Sequence, residues 1–165
     1  MTRLKNTLQS WAQIILFAAL FIADWQLPDG DLLWLRMAGV FVLALAAILI
    51  FLPFVQLKKY GESGNSNNYM ETRVVADRGL YAIVRHPQYL GYILLFSGFA
   101  LLSQHWVTYL IAAGGVVVLY TQAVAEERFC LEQFGNAYER YLARVPRFNL
   151  VLGLWRFLKR GSLQA

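Results

Sequence analysis

Apolar residues in this chain come in long blocks. They follow neither the three-and-four spacing of a soluble helix nor the alternation of a half-buried strand. Residues 8–25 form one block, and 37–55 a second with 19 positions free of charge. A third covers 89–102 and a fourth 106–125. A helix needs roughly 20 apolar residues to cross the hydrocarbon core of a bilayer. The second and fourth blocks reach that length alone. The first is slightly short, with Asp24 at its end. The third has 14 positions and reaches across only if its helix starts near Pro87. The pattern predicts an all-α polytopic membrane helix bundle with about four transmembrane helices, in one domain over 1–165.

The breaks between blocks are informative. An acidic, Pro- and Gly-containing turn over 24–31 joins helices 1 and 2, and helix 2 is expected to end within 53–57. The polar stretch 58–85 contains a turn-like Gly/Ser/Asn tract at 61–68. Only Ser103, Gln104 and His105 separate the third and fourth blocks, which predicts a tight antiparallel hairpin. Gly98, Gly114 and Gly115 are expected to let helices approach closely. Past the fourth block the pattern changes. Over 126–145, Leu131, Phe134, Tyr138, Tyr141 and Val145 recur at three- and four-residue steps. This predicts a cytoplasmic amphipathic segment, a helix pair broken at Gly135. A last interfacial helix is expected over 150–158.

Composition agrees with a lipid environment: 58% of residues are apolar and 15% charged, against about 25% charged in soluble domains. No cleavage site of small residues follows the first block. The lone Cys130 leaves no partner for an intrachain disulfide. Charge then sets orientation. With four crossings, 14 of the 15 basic residues fall on one side, and only Arg36 on the other. The positive-inside rule places both termini in the cytoplasm. The net charge of +5 is accounted for by anionic headgroups and calls for no nucleic acid.

Three constellations could carry chemistry. Pro87 suits the first position of a helix, which puts Arg85 and His86 beside a helix start. Free N–H groups there attract a carboxylate or phosphate, and Gly91, one turn in, leaves room for a bulky ligand. Glu126 and Glu127 are expected at the cytoplasmic end of helix 4, where the helix dipole disfavours them. Arg128, Arg85 or a ligand should compensate. A hairpin of helices 3 and 4 would bring Arg85-His86 and Glu126-Glu127 to one depth, as a zwitterionic amino acid headgroup requires. The third constellation is the basic-aromatic run of Tyr138, Tyr141, Arg144, Val145, Pro146, Arg147 and Phe148. As the simplest alternatives, these are a proline-capped basic flank, a solvated helix end and an interfacial anchor. No cluster of metal-ligating residues is evident.

In order along the chain, Gly79 and Tyr81, Arg85-His86-Pro87-x-Tyr89-x-Gly91, Glu126-Glu127, Phe134-Gly135, Tyr138, Tyr141 and Arg144-Val145-Pro146 resemble the isoprenylcysteine carboxyl methyltransferase and phospholipid N-methyltransferase superfamily. The motif-bearing core is 76–148. The resemblance implies S-adenosylmethionine as cofactor, with Gly79, Tyr81, Arg85, His86, Pro87, Tyr89 and Gly91 around it. Arg85 would face its carboxylate, and Glu126 or Glu127 its ammonium group. It implies a lipid or lipidated acceptor in a bacterial or archaeal cell membrane. An anionic acceptor would be oriented by Arg144, whereas an amine would give up a proton to Glu127 or His86. The Asp-His-Ser element and the arginine before E-E that isoprenylcysteine enzymes tend to carry are absent, which argues against prenylcysteine as acceptor. An NADPH-dependent membrane reductase of the sterol reductase type, or a non-enzymatic lipid-binding protein, are the competing classes. The oligomeric state is left open.

Overall fold

A computed structural model describes residues 2–60, 75 and 77–161. The Gly/Ser/Asn tract at 61–68 and Arg73 lie outside the described residues. Helices account for the architecture: α1 Thr2–Gln26, α2 Leu33–Tyr60, α3 Pro87–Ser103, α4 Trp106–Phe134, α5 Asn136–Arg144 and α6 Leu150–Gly161, with a single 3-10 turn at Gly79–Ala82 before α3. The chain divides into two compact units, Met1–Ile48 with Tyr89–Ala125, and Leu49–Gln88 with Glu126–Ala165.

In the first unit, the largest apolar side chains point outward. Trp11, Ile15 and Phe41 are 59%, 63% and 72% exposed. Such a surface is unstable in water and suits a hydrocarbon solvent. Among the described residues, three stretches are long and apolar enough to cross a membrane: Leu8–Gln26, Leu33–Pro53 and Trp106–Phe134. The fourth expected span, α3, begins at Pro87 as predicted but has 17 residues, about 26 Å of helix. So the four apolar blocks become three long helices and, as the short third block suggests, one short one. The short helix nonetheless ends level with its neighbours. The Gly30 N–H donates to the Ser103 carbonyl at 3.0 Å. The Gln104 amide pairs with both backbone groups of Leu32, at 3.1 and 3.0 Å. The α3–α4 turn is thereby tied to the α1–α2 connection. His105 opens α4, its Nδ1 accepting from the Val107 N–H at 3.2 Å.

The inward side of this unit is small. Leu20, Phe96, Ala100, Ala112 and Leu119 form the core, with Phe17 edge-on to Phe96 and Phe99. Glycines set the spacing. A Cβ on Gly39 would lie 3.0 Å from the Gly98 carbonyl, and one on Gly115 would lie 2.8 Å from the Phe96 ring. Gly98 and Gly115 therefore do the packing expected of them. Gly114 does not, because a Cβ there would meet only Leu16 at an ordinary 3.7 Å.

In the second unit two boundaries differ from expectation. The α2 helix runs past the buried Pro53 to Tyr60. The α4 helix continues unbroken to Phe134, so Glu126 and Glu127 lie inside it, about two turns before its end. Leaving an apolar stretch is no reason for a helix to stop, since its backbone bonds are internal. The break falls at Gly135, as predicted, at φ 52° and ψ −130°, a conformation open to glycine. Tyr138, Tyr141 and Val145 then bury the apolar face of α5.

The glycine spacings can be tested by thermal melting in detergent. Gly39→Val should destabilise by about 1–3 kcal/mol, since the atom it would strike is backbone. Gly114→Ala should be neutral or stabilise by up to about 1 kcal/mol, because a helical glycine is replaced where there is room.

Candidate active site

The second unit builds its site around one buried carboxylate. Glu127 is 6% exposed and receives three partners. Arg147 forks onto it, Nε to Oε1 at 2.9 Å and a terminal nitrogen to Oε2 at 2.5 Å. His86 Nε2 lies 3.2 Å from Oε1, and a terminal nitrogen of Arg85 lies 3.3 Å from the same oxygen. Two-pronged arginine–carboxylate pairs are among the stronger hydrogen-bonded contacts in proteins.

Backbone pairing puts these groups in reach of one another. The Arg85 N–H donates to the Pro146 carbonyl at 3.0 Å, and the His86 N–H to the Arg147 carbonyl at 3.4 Å. The R-V-P segment thus runs alongside the R-H-P segment. Val84 and Val145, 0% and 2% exposed, are buried next to this pairing. A second tie lies one turn earlier. The Tyr141 hydroxyl donates to the Tyr81 carbonyl at 2.7 Å. Gln56 accepts from the Leu80 N–H at 2.7 Å, across a left-handed Gly79 (φ 63°) where a Cβ would strike the Gln56 amide. The G-x-Y and Y-x-x-Y patterns therefore fix the 3-10 turn that leads into Arg85.

Arg85 has further features. A terminal nitrogen reaches the Leu142 carbonyl at 3.4 Å, and its buried Nε has no acceptor among the described residues. The Phe148 ring centre is 6.1 Å from that of His86. Glu126, by contrast, is exposed. Burial, and then the charge of Glu126, push the Tyr81 hydroxyl up to about 12. Burial likewise pushes the Tyr138 and Tyr141 phenols up, so all three remain neutral near pH 7.

Of the residues singled out from sequence, Arg85, His86 and Glu127 come together, with Pro87 buried beside them. Gly79 and Tyr81 form the preceding turn. Tyr89 and Gly91 lie on α3 in the first unit, Tyr89 half-buried against the Leu20–Phe96 cluster and Gly91 buried. Arg144 is outside the Glu127 cluster: it is half-exposed, 3.5 Å from the equally exposed Asp77. Arg147 is named in the basic-aromatic run from sequence, but with no role beside the E-E pair. The signal for it is in the sequence, because the E-E pair is short of cations and an arginine directly follows R-V-P. The compensating cations are Arg85 and Arg147, while Arg128 is exposed. No group of three or more potential metal ligands occurs among the described residues.

A buried helical carboxylate thus gathers the R-H-P segment in an all-helical chain with apolar spans, and comparison with known proteins gives its family. The phospholipid methyltransferase family profile matches residues 34–137, and the chain belongs to that family. A protein-S-isoprenylcysteine O-methyltransferase from Schizosaccharomyces pombe is 33% identical over 69 residues, 41% of this chain and 29% of that protein. A Delta(14)-sterol reductase from Gallus gallus is 32% identical over 78 residues, 46% of this chain and 12% of its own length. A probable 7-dehydrocholesterol reductase from Acanthamoeba polyphaga mimivirus is 25% identical over 166 residues, 79% of this chain and 37% of its length. The chain thus spans between about an eighth and just over a third of these relatives. No solved structure matches it significantly.

Removing the central carboxylate would leave two largely buried guanidiniums without their counter-charge. Glu127→Ala should cost about 3–5 kcal/mol. Glu126→Ala, at an exposed position, should stay within about 0.5 kcal/mol. Paired melting curves of the two variants measure the difference, and equal losses would show that the cluster does not hold this unit together.

Proposed function

We propose that this chain is a membrane methyltransferase, one domain over 1–165, that uses S-adenosylmethionine and acts on a lipid or lipidated acceptor at the cytoplasmic face. The observation that carries this is the arrangement around Glu127. The guanidiniums of Arg85 and Arg147 converge on this one carboxylate. The buried Arg85 Nε is an unused donor among the described residues. Both features fit a ligand that bears a carboxylate. Arg85 would hold that carboxylate, and the exposed Glu126 the ammonium group, since both oxygens of Glu127 are already accepting.

Bound there, S-adenosylmethionine supplies an activated sulfonium methyl group. The chain's own part is positioning and proton management. Glu127 accepts only, so the His86 nitrogen facing it, Nε2, carries the proton. In the neutral ring Nδ1 is then the basic nitrogen, the atom that would take a proton from an amine acceptor. A proton arriving at Glu127 itself would have to displace an arginine, so His86 suits this role better. A carboxylate acceptor needs no proton removed, only orientation, which Arg144 would provide.

The orientation proposed is both termini in the cytoplasm. The Lys/Arg asymmetry supports it, as does the pairing of Gln104 with Leu32, which puts the α3–α4 turn at the same end as the α1–α2 connection. Reporter fusions after residues 57 and 148 should read cytoplasmic and one after residue 28 external. A cytoplasmic reading at 28 would rule the arrangement out.

A second reading, an NADPH-dependent reductase, is favoured by the similarity to sterol reductases. Against it, a carboxylate, Glu127, sits at the centre of the site, which disfavours a ligand with several phosphates. Calorimetry with S-adenosylmethionine and with NADPH separates these readings, and binding of neither would favour a non-enzymatic lipid-binding protein. Glu126→Gln should weaken S-adenosylmethionine binding roughly 10- to 100-fold with an unchanged melting temperature.

Arg144 is tested by methyl incorporation into membrane lipid. If it orients an anionic acceptor, Arg144→Ala should cut turnover by tenfold or more while cofactor binding persists, and Asp77→Ala should not. Equal losses in the two variants would make the pair a structural latch, worth at most about 1 kcal/mol at such exposure.

A further inference from the structure

The α6 helix meets the protein with the wrong side for an ordinary packed amphipathic helix. At 3.6 residues per turn, Val151, Leu154, Trp155 and Leu158 share one arc, Gly153 and Arg156 the opposite one, and Lys159 lies at the edge beside Trp155. The apolar arc points outward: Val151 is 81% exposed, Leu158 62% and Trp155 57%. The glycine arc points inward. Gly153 is buried, with its backbone so close to the Ile83 carbonyl that a Cβ would overlap that oxygen. Asn149 fixes the direction in which the helix departs, its Oδ1 accepting from the Leu152 N–H at 2.9 Å. The described residues therefore leave the apolar arc uncovered.

The charges beside this arc indicate what covers it. Lys159 Nζ sits 5.4 Å from the Trp155 ring centre, so a cation and an indole lie at the arc's edge, with Arg156 further round. Tryptophan and basic side chains together match the headgroup layer of a membrane, where the ring stays amphipathic and the cations meet phosphates. The bilayer is also close along the chain, since α4 runs unbroken from an apolar span into this unit. A second copy meeting this arc face to face would bring two sets of cations together, which disfavours it. We infer that α6 is an interfacial helix that lies on the surface of an anionic bilayer, with Val151, Leu154, Trp155 and Leu158 in the acyl boundary and Lys159 at the phosphates. This surface is independent of the reaction proposed for the Glu127 site.

The test uses the full chain with Cys130→Ser, reconstituted in phosphatidylcholine vesicles with or without phosphatidylglycerol. Single spin labels are placed through Val151→Cys, Leu154→Cys and Leu158→Cys, and through Ala143→Cys on the exposed side of α5 as a water-facing control. All four positions are exposed, so the labels leave packing undisturbed. The three α6 labels should be reached by oxygen and shielded from a water-soluble nickel chelate, with the reverse at 143. Phosphatidylglycerol should deepen the α6 labels, and Lys159→Glu should abolish that shift. Labels on α6 as open to nickel as the one at 143 would overturn the inference. So would labels shielded from both reagents with dipolar broadening that grows with protein density, the sign of a second copy. Depth unaffected by phosphatidylglycerol would overturn the assignment of an anionic surface.

Discussion

Glu127 joins three separate segments of the chain at one buried carboxylate. Its partners come from the stretch before α3 and the stretch after α5, and it sits on α4 itself. Each partner alone would be poor. A buried arginine without a counter-charge is costly, and so is a buried glutamate. Together they neutralise most of that cost, and the backbone pairing of Arg85 and His86 with Pro146 and Arg147 supplies the geometry. Tyr138, Tyr141 and Val145 pack into an apolar cluster of the same unit, and Glu127 is itself buried, a setting in which charge-assisted bonds are strong. The result is a charge cluster whose members fix one another's positions.

The long apolar blocks made the helical class and the membrane setting legible from sequence. So were the start of α3 at Pro87, the short α3–α4 turn and the break at Gly135, because proline and glycine constrain the backbone locally. The ends of α2 and α4 were not. Hydropathy locates where a helix leaves the bilayer, whereas hydrogen bonding decides where it stops, and α4 keeps its ladder for nine residues past Ala125. That displacement alters the argument about Glu126 and Glu127. They are not at a helix end competing with the dipole. They are in the interior of a helix, one facing solvent and one facing two arginines, as adjacent positions on a helix must diverge.

The site was legible in its residue types and less so in its pairings. Arg85, His86 and Glu127 could be grouped because a short hairpin constrains where they can be. Arg147 could not, because its place depends on a backbone pairing between segments about sixty residues apart. Arg144 was the more conspicuous arginine in sequence, yet it faces solvent beside Asp77. Two residues separate Arg144 from Arg147, and these, the extended Val145 and the half-buried Pro146, end the helix and turn the chain. Periodicity carried over from α5 therefore says nothing about which of the two points inward.

In the first unit, Gln104 takes the part of a peptide group. Its amide donates to and accepts from one residue, Leu32, as a neighbouring strand would, and its backbone adopts φ 54° to do so. Two loops are thereby held in register by a side chain of fixed reach. Neither loop can gain or lose a residue without breaking both bonds, so the lengths of the α1–α2 and α3–α4 connections are coupled. A graft of either loop from a relative would have to bring the other with it.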